Sequence, residues 1–223
     1  MKIKKDKSAL IVFAREPKDG EVKTRLLKSL SVPVVTQLYQ AFIKDVLTIA
    51  LEANCDERLI YCAATDNITP FLSQFKDRFH LQEQQGIDLG ERMFNAANDC
   101  REKGFERIVI IGTDCLTLTT ADIVGAFDKL NEHDYVIGPA CDGGYYLIGL
   151  RNPHQQIFQK IKWSSGAVLR QTRQNIKELK QSVYLLKEQE DVDDLASLKR
   201  LHQELFKREF AFSTRKILEN LAY

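Results

Sequence analysis

Ala9–Leu27, ALIVFAREPKDGEVKTRLL, sets six consecutive apolar residues against a loop that carries Arg15, Lys18, Lys23 and Arg25 within eleven positions. A short apolar run ended by charge reads as a buried strand. Gly20 then permits a tight or left-handed turn before the next helical pattern. The fold question is whether the rest of the chain repeats this strand, loop and helix order.

It does. Apolar or β-branched runs at Ala9–Ala14, Arg58–Ala63, Phe79–Gln82, Arg107–Ile111, Tyr135–Ile137, Tyr145–Leu150 and Val183–Leu186 read as strands. Helical periodicity fills Val34–Ala53, Leu89–Lys103, Thr120–Asn131, Ser165–Leu179 and Asp194–Phe206, and Arg208–Tyr223 reads as one more amphipathic helix. Strand and helix in alternation specify an α/β protein with a mostly parallel sheet covered on both faces. Tyr145–Leu150 follows Tyr135–Ile137 with no helix between, so it is expected to pair differently and make the sheet mixed. No linker or low-complexity stretch divides the chain, which reads as one domain over residues 1–223.

The bulk numbers exclude several classes of function. Of 223 residues, 32 are basic and 31 acidic, a formal charge of +1 that favours neither nucleic acid nor an anionic membrane. Anion recognition must therefore be local, as in the first loop. The apolar run ahead of Arg15 is too short for a signal-peptide core, and no later stretch reads as the roughly twenty apolar residues of a membrane span. Cys55, Cys62, Cys100, Cys115 and Cys141 form no CxxC pair and have no nearby histidine partner, so reduced thiols in a cytoplasm are expected. His80, His133, His154 and His202 are scattered and suggest no triad.

In open α/β sheets, ligands gather at the carboxyl ends of the strands. Four loops there carry unusual chemistry. In the first, Arg15, Lys23 and Arg25 suit a polyphosphate, because charge-assisted bonds to phosphate exceed neutral ones; it is neither a Walker loop nor GxGxxG. In the second, GTDCL, Asp114 directly follows a buried strand and could hold a hard cation, since Mg²⁺ needs only one or two protein carboxylates beside substrate phosphates. Its ordinary alternative is an Asx turn, although Thr119 or Thr120 is the better helix cap. In the third, CDGGYY, Gly143 and Gly144 allow close backbone approach beside Asp142, with Tyr145 and Tyr146 available to line a pocket; a plain β-turn is the alternative. In the fourth, EQEDVDDLASL, Asp191 or Asp193 would complement Asp114, against the alternative that these acids only cap a helix.

The collinear motifs FAREPKDGEVKTRL, QGIDLGERM, GTDCL, DGGYYLIGL, WSS and DVDDLASL resemble a bacterial family of glycosyltransferase-like proteins, the radical-SAM/selenodomain-associated transferases. That family lies in the nucleotide-diphospho-sugar transferase superfamily, so the resemblance implies a GT-A, Rossmann-like three-layer sandwich. It further implies that Arg15, Gly20, Lys23 and Arg25 hold nucleotide phosphates, with Gly86, Asp88 and Arg92 beside the nucleoside. Asp114 and Asp193 would hold Mg²⁺ or Mn²⁺. Lys23 and Asp142 would serve catalysis, and Gly143, Gly144, Tyr145, Trp163, Ser164 and Ser165 would face the sugar or acceptor.

The chain departs from the family where Asp19 and Leu116 replace Pro, and where Asp194, Leu195, Ala196 and Ser197 replace TPED; the last change bears on how Asp193 is oriented. The expected activity is metal-dependent glycosyl transfer from a nucleotide sugar to a small acceptor. Nucleotidyl transfer from an NTP to a phosphorylated metabolite is the alternative, and a non-catalytic nucleotide-binding module is a third reading. No nucleic acid partner or membrane span is expected, and a homodimer is left open.

Overall fold

The computed structural model describes residues 6–63, 70–207 and 210–221. Its elements run β1 (Ser8–Ala14), α1 (Val32–Glu52), β2 (Glu57–Cys62), α2 (Pro70–Ser73), β3 (His80–Glu83), α3 (Leu89–Glu102), β4 (Arg107–Ile111), α4 (Thr120–Lys129), β5 (Tyr135–Pro139), β6 (Tyr145–Leu150), α5 (Val168–Glu178), β7 (Val183–Leu185), α6 (Leu195–Lys207) and α7 (Phe212–Leu218). All seven expected strands form, and the strand-helix alternation produces the α/β fold.

The strands make one sheet in the order β3-β2-β1-β4-β6-β5-β7. β1 lies parallel between β2 and β4, while β6 runs antiparallel to both β4 and β5. The expected exception is therefore a hairpin strand, inserted between two parallel neighbours. Because β6 alone is reversed, its amino-terminal end meets the carboxyl ends of the other strands.

Side-chain alternation divides the core into two layers. Leu10, Val12, Val109 and Ile111 face one cluster under α1, α4, α6 and α7. Ala9, Ile11, Ile108 and Ile110 face a second under α3 and α5. Each fully buried Leu or Ile contributes about 1.5–3 kcal/mol relative to an exposed one. Polar ties close the layers: buried Asp45 on α1 accepts the Ser213 and Thr214 backbone N–H groups at 2.9 and 2.8 Å, which docks the start of α7.

Several features differ from the sequence expectation. α5 begins at Val168 rather than Ser165, because residues 163–167 form a turn in which Ser164 adopts φ +59°. The last helix covers only Phe212–Leu218 of the expected Arg208–Tyr223, and residues 208–209 and 222–223 lie outside the described set. α1, with 21 residues and a hydropathy of 1.2, is long and apolar enough to cross a membrane, contrary to the expectation that no segment would be. Leu38, Phe42, Ile43 and Val46 on it are wholly buried in the core, whereas Val32 at its start is exposed.

Cys62, Cys100 and Cys115 are buried, Cys55 is half-buried and Cys141 is exposed. Burial pushes the Cys100 and Cys115 thiols up to about 12. Alkylation of the native protein followed by peptide mass analysis should label Cys141 first. Early labelling of Cys100 or Cys115 would contradict this packing.

Candidate active site

The first loop is anchored by its own apolar residues. Val22 and Leu26, four apart, sink into the core, which pins Lys23 between them at φ +46°. A left-handed lysine costs roughly 1–2 kcal/mol, so the surrounding contacts must hold it there. They are strong. Lys23 Nζ lies 2.8 Å from Asp114 Oδ1 and donates to Asp193 Oδ1 at 2.9 Å and to the Val192 carbonyl at 2.6 Å.

The Lys23 side chain is only 6% exposed. Burial by itself would lower its pKa, but Asp114 and Asp193 outweigh that and raise it to about 12, so it stays charged. All three ammonium protons have an oxygen nearby. The sequence reading expected Lys23 to hold phosphate; in the structure the ammonium instead links two carboxylates drawn from distant parts of the chain. Its neighbour Arg25 is exposed and reaches Asp193 Oδ2 at 3.7 Å, keeping most of its donors for solvent or ligand.

Asp114 leaves β4 just beyond Gly112, and its carbonyl accepts the Val192 N–H at 2.9 Å. It does not cap α4, since Thr119 does so in a capping box with Asp122. Gln189 fastens the acidic loop from behind, accepting from Thr117 Oγ1 at 2.6 Å and donating to Asp122 Oδ2 at 3.0 Å. Where the resembled family has TPED, Ser197 takes over the orienting work. Its Oγ accepts the backbone N–H groups of Asp193 and Asp194, both at 3.0 Å. Asp194 Oδ1 in turn accepts the Ser197 N–H at 2.8 Å, capping α6.

Asp191 differs from its neighbours. Its Oδ1 is buried with no hydrogen-bond partner. Burial first, and the nearby Asp114 charge second, push its carboxyl up to about 7.

Three cavities meet at Asp114. The first, about 340 Å³, lies between Phe13, Gln84, Leu89, Arg92 and Tyr145 and reaches Asp191. The second, about 390 Å³, is bounded by Arg15, Lys23, Arg25, Ser164 and Asp193. The third, about 500 Å³, is walled by Asp142, Gly144, Tyr145, Trp163, Ser165 and the acids Asp191 and Asp193. Arg15 belongs to the first and second, Arg25 to the second and third.

The third cavity's wall depends on missing side chains. A Cβ on Gly143 (φ +86°) would come 2.4 Å from the Gly166 carbonyl oxygen, and one on Gly90 would come 2.5 Å from the Trp163 ring. DGG and WSSG thus pack directly on each other, and Trp163 lies against the start of α3. Asp142 is exposed, with Oδ1 accepting the Gly144 N–H at 2.8 Å.

The structure brings Arg15, Lys23, Arg25, Arg92, Asp114, Asp142, Gly144, Tyr145, Trp163, Ser164 and Asp193 to these cavity walls. Gly20, Gly86, Asp88 and Gly143 are not among the residues lining them. Asp88 caps α3 through the Glu91 N–H at 2.8 Å, and Gly86 (φ +143°) packs on that first turn, with its carbonyl accepting Arg92 Nε at 3.0 Å. Sequence reasoning missed Tyr39, whose buried hydroxyl accepts the Arg15 N–H at 3.1 Å and contacts Thr113 Oγ1 at 3.2 Å. It also missed Gln84, which donates to the Tyr61 carbonyl at 2.9 Å. Gln84 directly follows a strand and was open to discovery; Tyr39 reads as one more apolar helix position.

Among the described residues, no three His, Cys, Asp or Glu side chains already converge as a metal site. The donor chemistry nonetheless fits a hard divalent cation: Asp114, Asp191 and Asp193 offer carboxylate oxygens beside a cationic cavity, and the Asp191 Oδ1 is unpartnered.

Replacing Lys23 by Met should destabilise the protein by about 2 kcal/mol in urea unfolding. That is less than the ~3–5 kcal/mol of a fully buried pair, because both carboxylates are about two-fifths exposed. Ser197→Ala should cost about 1 kcal/mol, because the Asp193 and Asp194 N–H groups lose the hydroxyl oxygen that accepts from them. A neutral result for Lys23→Met would contradict the bridging arrangement.

The description "Uncharacterized protein conserved in bacteria (DUF2064)" belongs to a family model that matches residues 46–165. No curated protein matches the chain. Among solved structures, one from Desulfovibrio desulfuricans G20, described as a "putative nucleotide-diphospho-sugar transferase", is 30% identical, with TM-score 0.89 over 96% of this chain and 95% of that one. The inositol-1-phosphate CTP transferase from T. maritima gives 0.59 at 11% identity over 98% of both chains. The manganese complex of Rv0371C from Mycobacterium tuberculosis H37Rv gives 0.53 at 13%, covering 87% of this chain and 97% of that one. The last two share the fold alone. With a family model over more than half its length and a 30% identical relative along nearly all of it, the chain belongs to the DUF2064 family and has the GT-A fold of the nucleotide-diphospho-sugar transferases.

Proposed function

We propose that this chain is a metal-dependent glycosyltransferase that moves a sugar from a nucleotide diphosphate to a hydroxyl of a small acceptor. The observation that carries the reading is the meeting of three cavities at Asp114, one for each part such a reaction must hold. The nucleoside would occupy the cavity of Phe13, Gln84 and Arg92. Arg15 and Arg25 would hold the diphosphate, each able to engage two oxygens, and the acceptor would lie against Trp163 and Tyr145.

Asp114 and Asp193, with Asp191 beside them, would hold Mg²⁺ or Mn²⁺. Such an ion supplies positive charge to a departing diphosphate. Lys23 keeps Asp114 and Asp193 in place, acting as a positioning residue rather than a direct phosphate ligand. Asp142, exposed in the third cavity, accepts the acceptor hydroxyl proton. The acceptor oxygen then bonds to the anomeric carbon as the bond from that carbon to the diphosphate breaks.

A second reading has one observation of its own. Arg15 spans the nucleoside and phosphate cavities, where it could also stabilise charge at the α-phosphate in nucleotidyl transfer. The products separate the two: nucleotide sugars would yield nucleoside diphosphate, whereas an NTP with a phosphorylated metabolite would yield pyrophosphate.

A thermal-shift panel of nucleotide sugars, with and without Mg²⁺, should reveal one nucleotide class that raises Tm only with the metal. Asp114→Asn should remove the metal-dependent part of that shift and lower turnover by about 10²-fold or more. Stabilisation by every nucleotide irrespective of metal, or full activity in Asp114→Asn, would defeat the proposal.

A further inference from the structure

The three cavities differ in charge. The second sets Arg15, Lys23 and Arg25 against Glu21, Asp114 and Asp193, so its formal charges balance. The third has four carboxylates, Asp114, Asp142, Asp191 and Asp193, against the single guanidinium of Arg25. Lys23 offsets part of this from behind, where it bonds Asp114 and Asp193 and its charge also reaches Asp191. A nucleotide sugar's diphosphate carries two negative charges, so with a divalent cation it is close to neutral and would not reverse the sign of that wall.

The rest of the wall holds the aromatic rings of Tyr145 and Trp163 and the hydroxyls of Ser164 and Ser165, with aliphatic Leu89 and Val168 beside them. Aromatic faces suit the apolar face of a sugar ring or a cation. A phosphorylated acceptor would meet the wrong field and only one arginine. We infer that the third cavity selects a polyol free of anionic groups, with amino sugars favoured, and rejects phosphate esters. This rests on the functional reading above and narrows it, because it removes phosphorylated metabolites from the acceptor list.

The test uses a convenience of the sequence: Trp163 is the chain's one tryptophan, and it sits on this wall. Its fluorescence therefore reports the third cavity alone. Collisional quenching of the free protein by caesium and by iodide, each normalised to free N-acetyltryptophanamide, should favour caesium by at least about threefold at low ionic strength. The ratio should fall toward one in Asp142→Asn and in 0.5 M salt, where screening shortens the range of the field.

A ratio at or below one, or one unmoved by Asp142→Asn, overturns the inference. In a second arm, Mg²⁺, nucleoside diphosphate and either glucosamine or glucose 6-phosphate are added, and protection of Trp163 from neutral acrylamide is read. Protection by glucose 6-phosphate equal to or greater than that by glucosamine overturns the inference whatever the ion ratio; stronger protection by glucosamine, with the ratio and its dependence on Asp142 as expected, upholds it. Failure of nucleotides to raise Tm would sink the functional reading instead, and the quencher ratio, measured without nucleotide, would stand or fall separately.

Discussion

Everything at the cleft depends on where one ammonium group sits. Lys23 is drawn inward by Val22 and Leu26 and ends among oxygens of Asp114, Val192 and Asp193. A buried lysine would be costly alone, and two facing carboxylates would repel each other without it. Together they fix the first loop, the end of β4 and the approach to α6 relative to one another. The Val192 N–H to Asp114 carbonyl bond then closes the same junction through the backbone.

The sheet makes that junction possible. Parallel strands β1, β4 and β5 deliver Arg15, Asp114 and Asp142 to one edge, and reversed β6 brings Tyr145 and Tyr146 to it from the other direction. The helices contribute mainly buried surface. Exceptions occur at helix positions facing the cleft, such as Tyr39 on α1 and Arg92 on α3.

Much of this was legible in the sequence because alternation and apolar runs are local. Seven strands, the anomalous pairing of Tyr145–Leu150 and a threonine cap at 119 or 120 all follow from neighbouring residues. The site was legible as a set of loops, with Arg15, Asp114, Asp142 and Asp193 each recognisable after a strand. Its internal wiring was not. That Lys23 would turn toward acids rather than phosphate depends on a contact between residues 23 and 193, which no local pattern encodes. Ser197 illustrates the same limit: the loss of TPED was visible, but the hydroxyl that replaces its function is recognisable only once α6 is in place.

The β5–β6 hairpin links the acid spacing to strand register. Tyr135 to Gly138 pair with Leu150 to Leu147, a shift at Pro139 follows, and Asp142 rides the tip. β7 pairs with the outer side of β5, and Gln189 bridges Ala140 beyond it. Sliding β6 by one residue would exchange the side chains it sends into the two core layers. The distance from Asp142 to the acids of the last loop is thus inherited from hydrophobic phasing several residues away, so the tip can change its chemistry over generations while its position stays under the custody of the core.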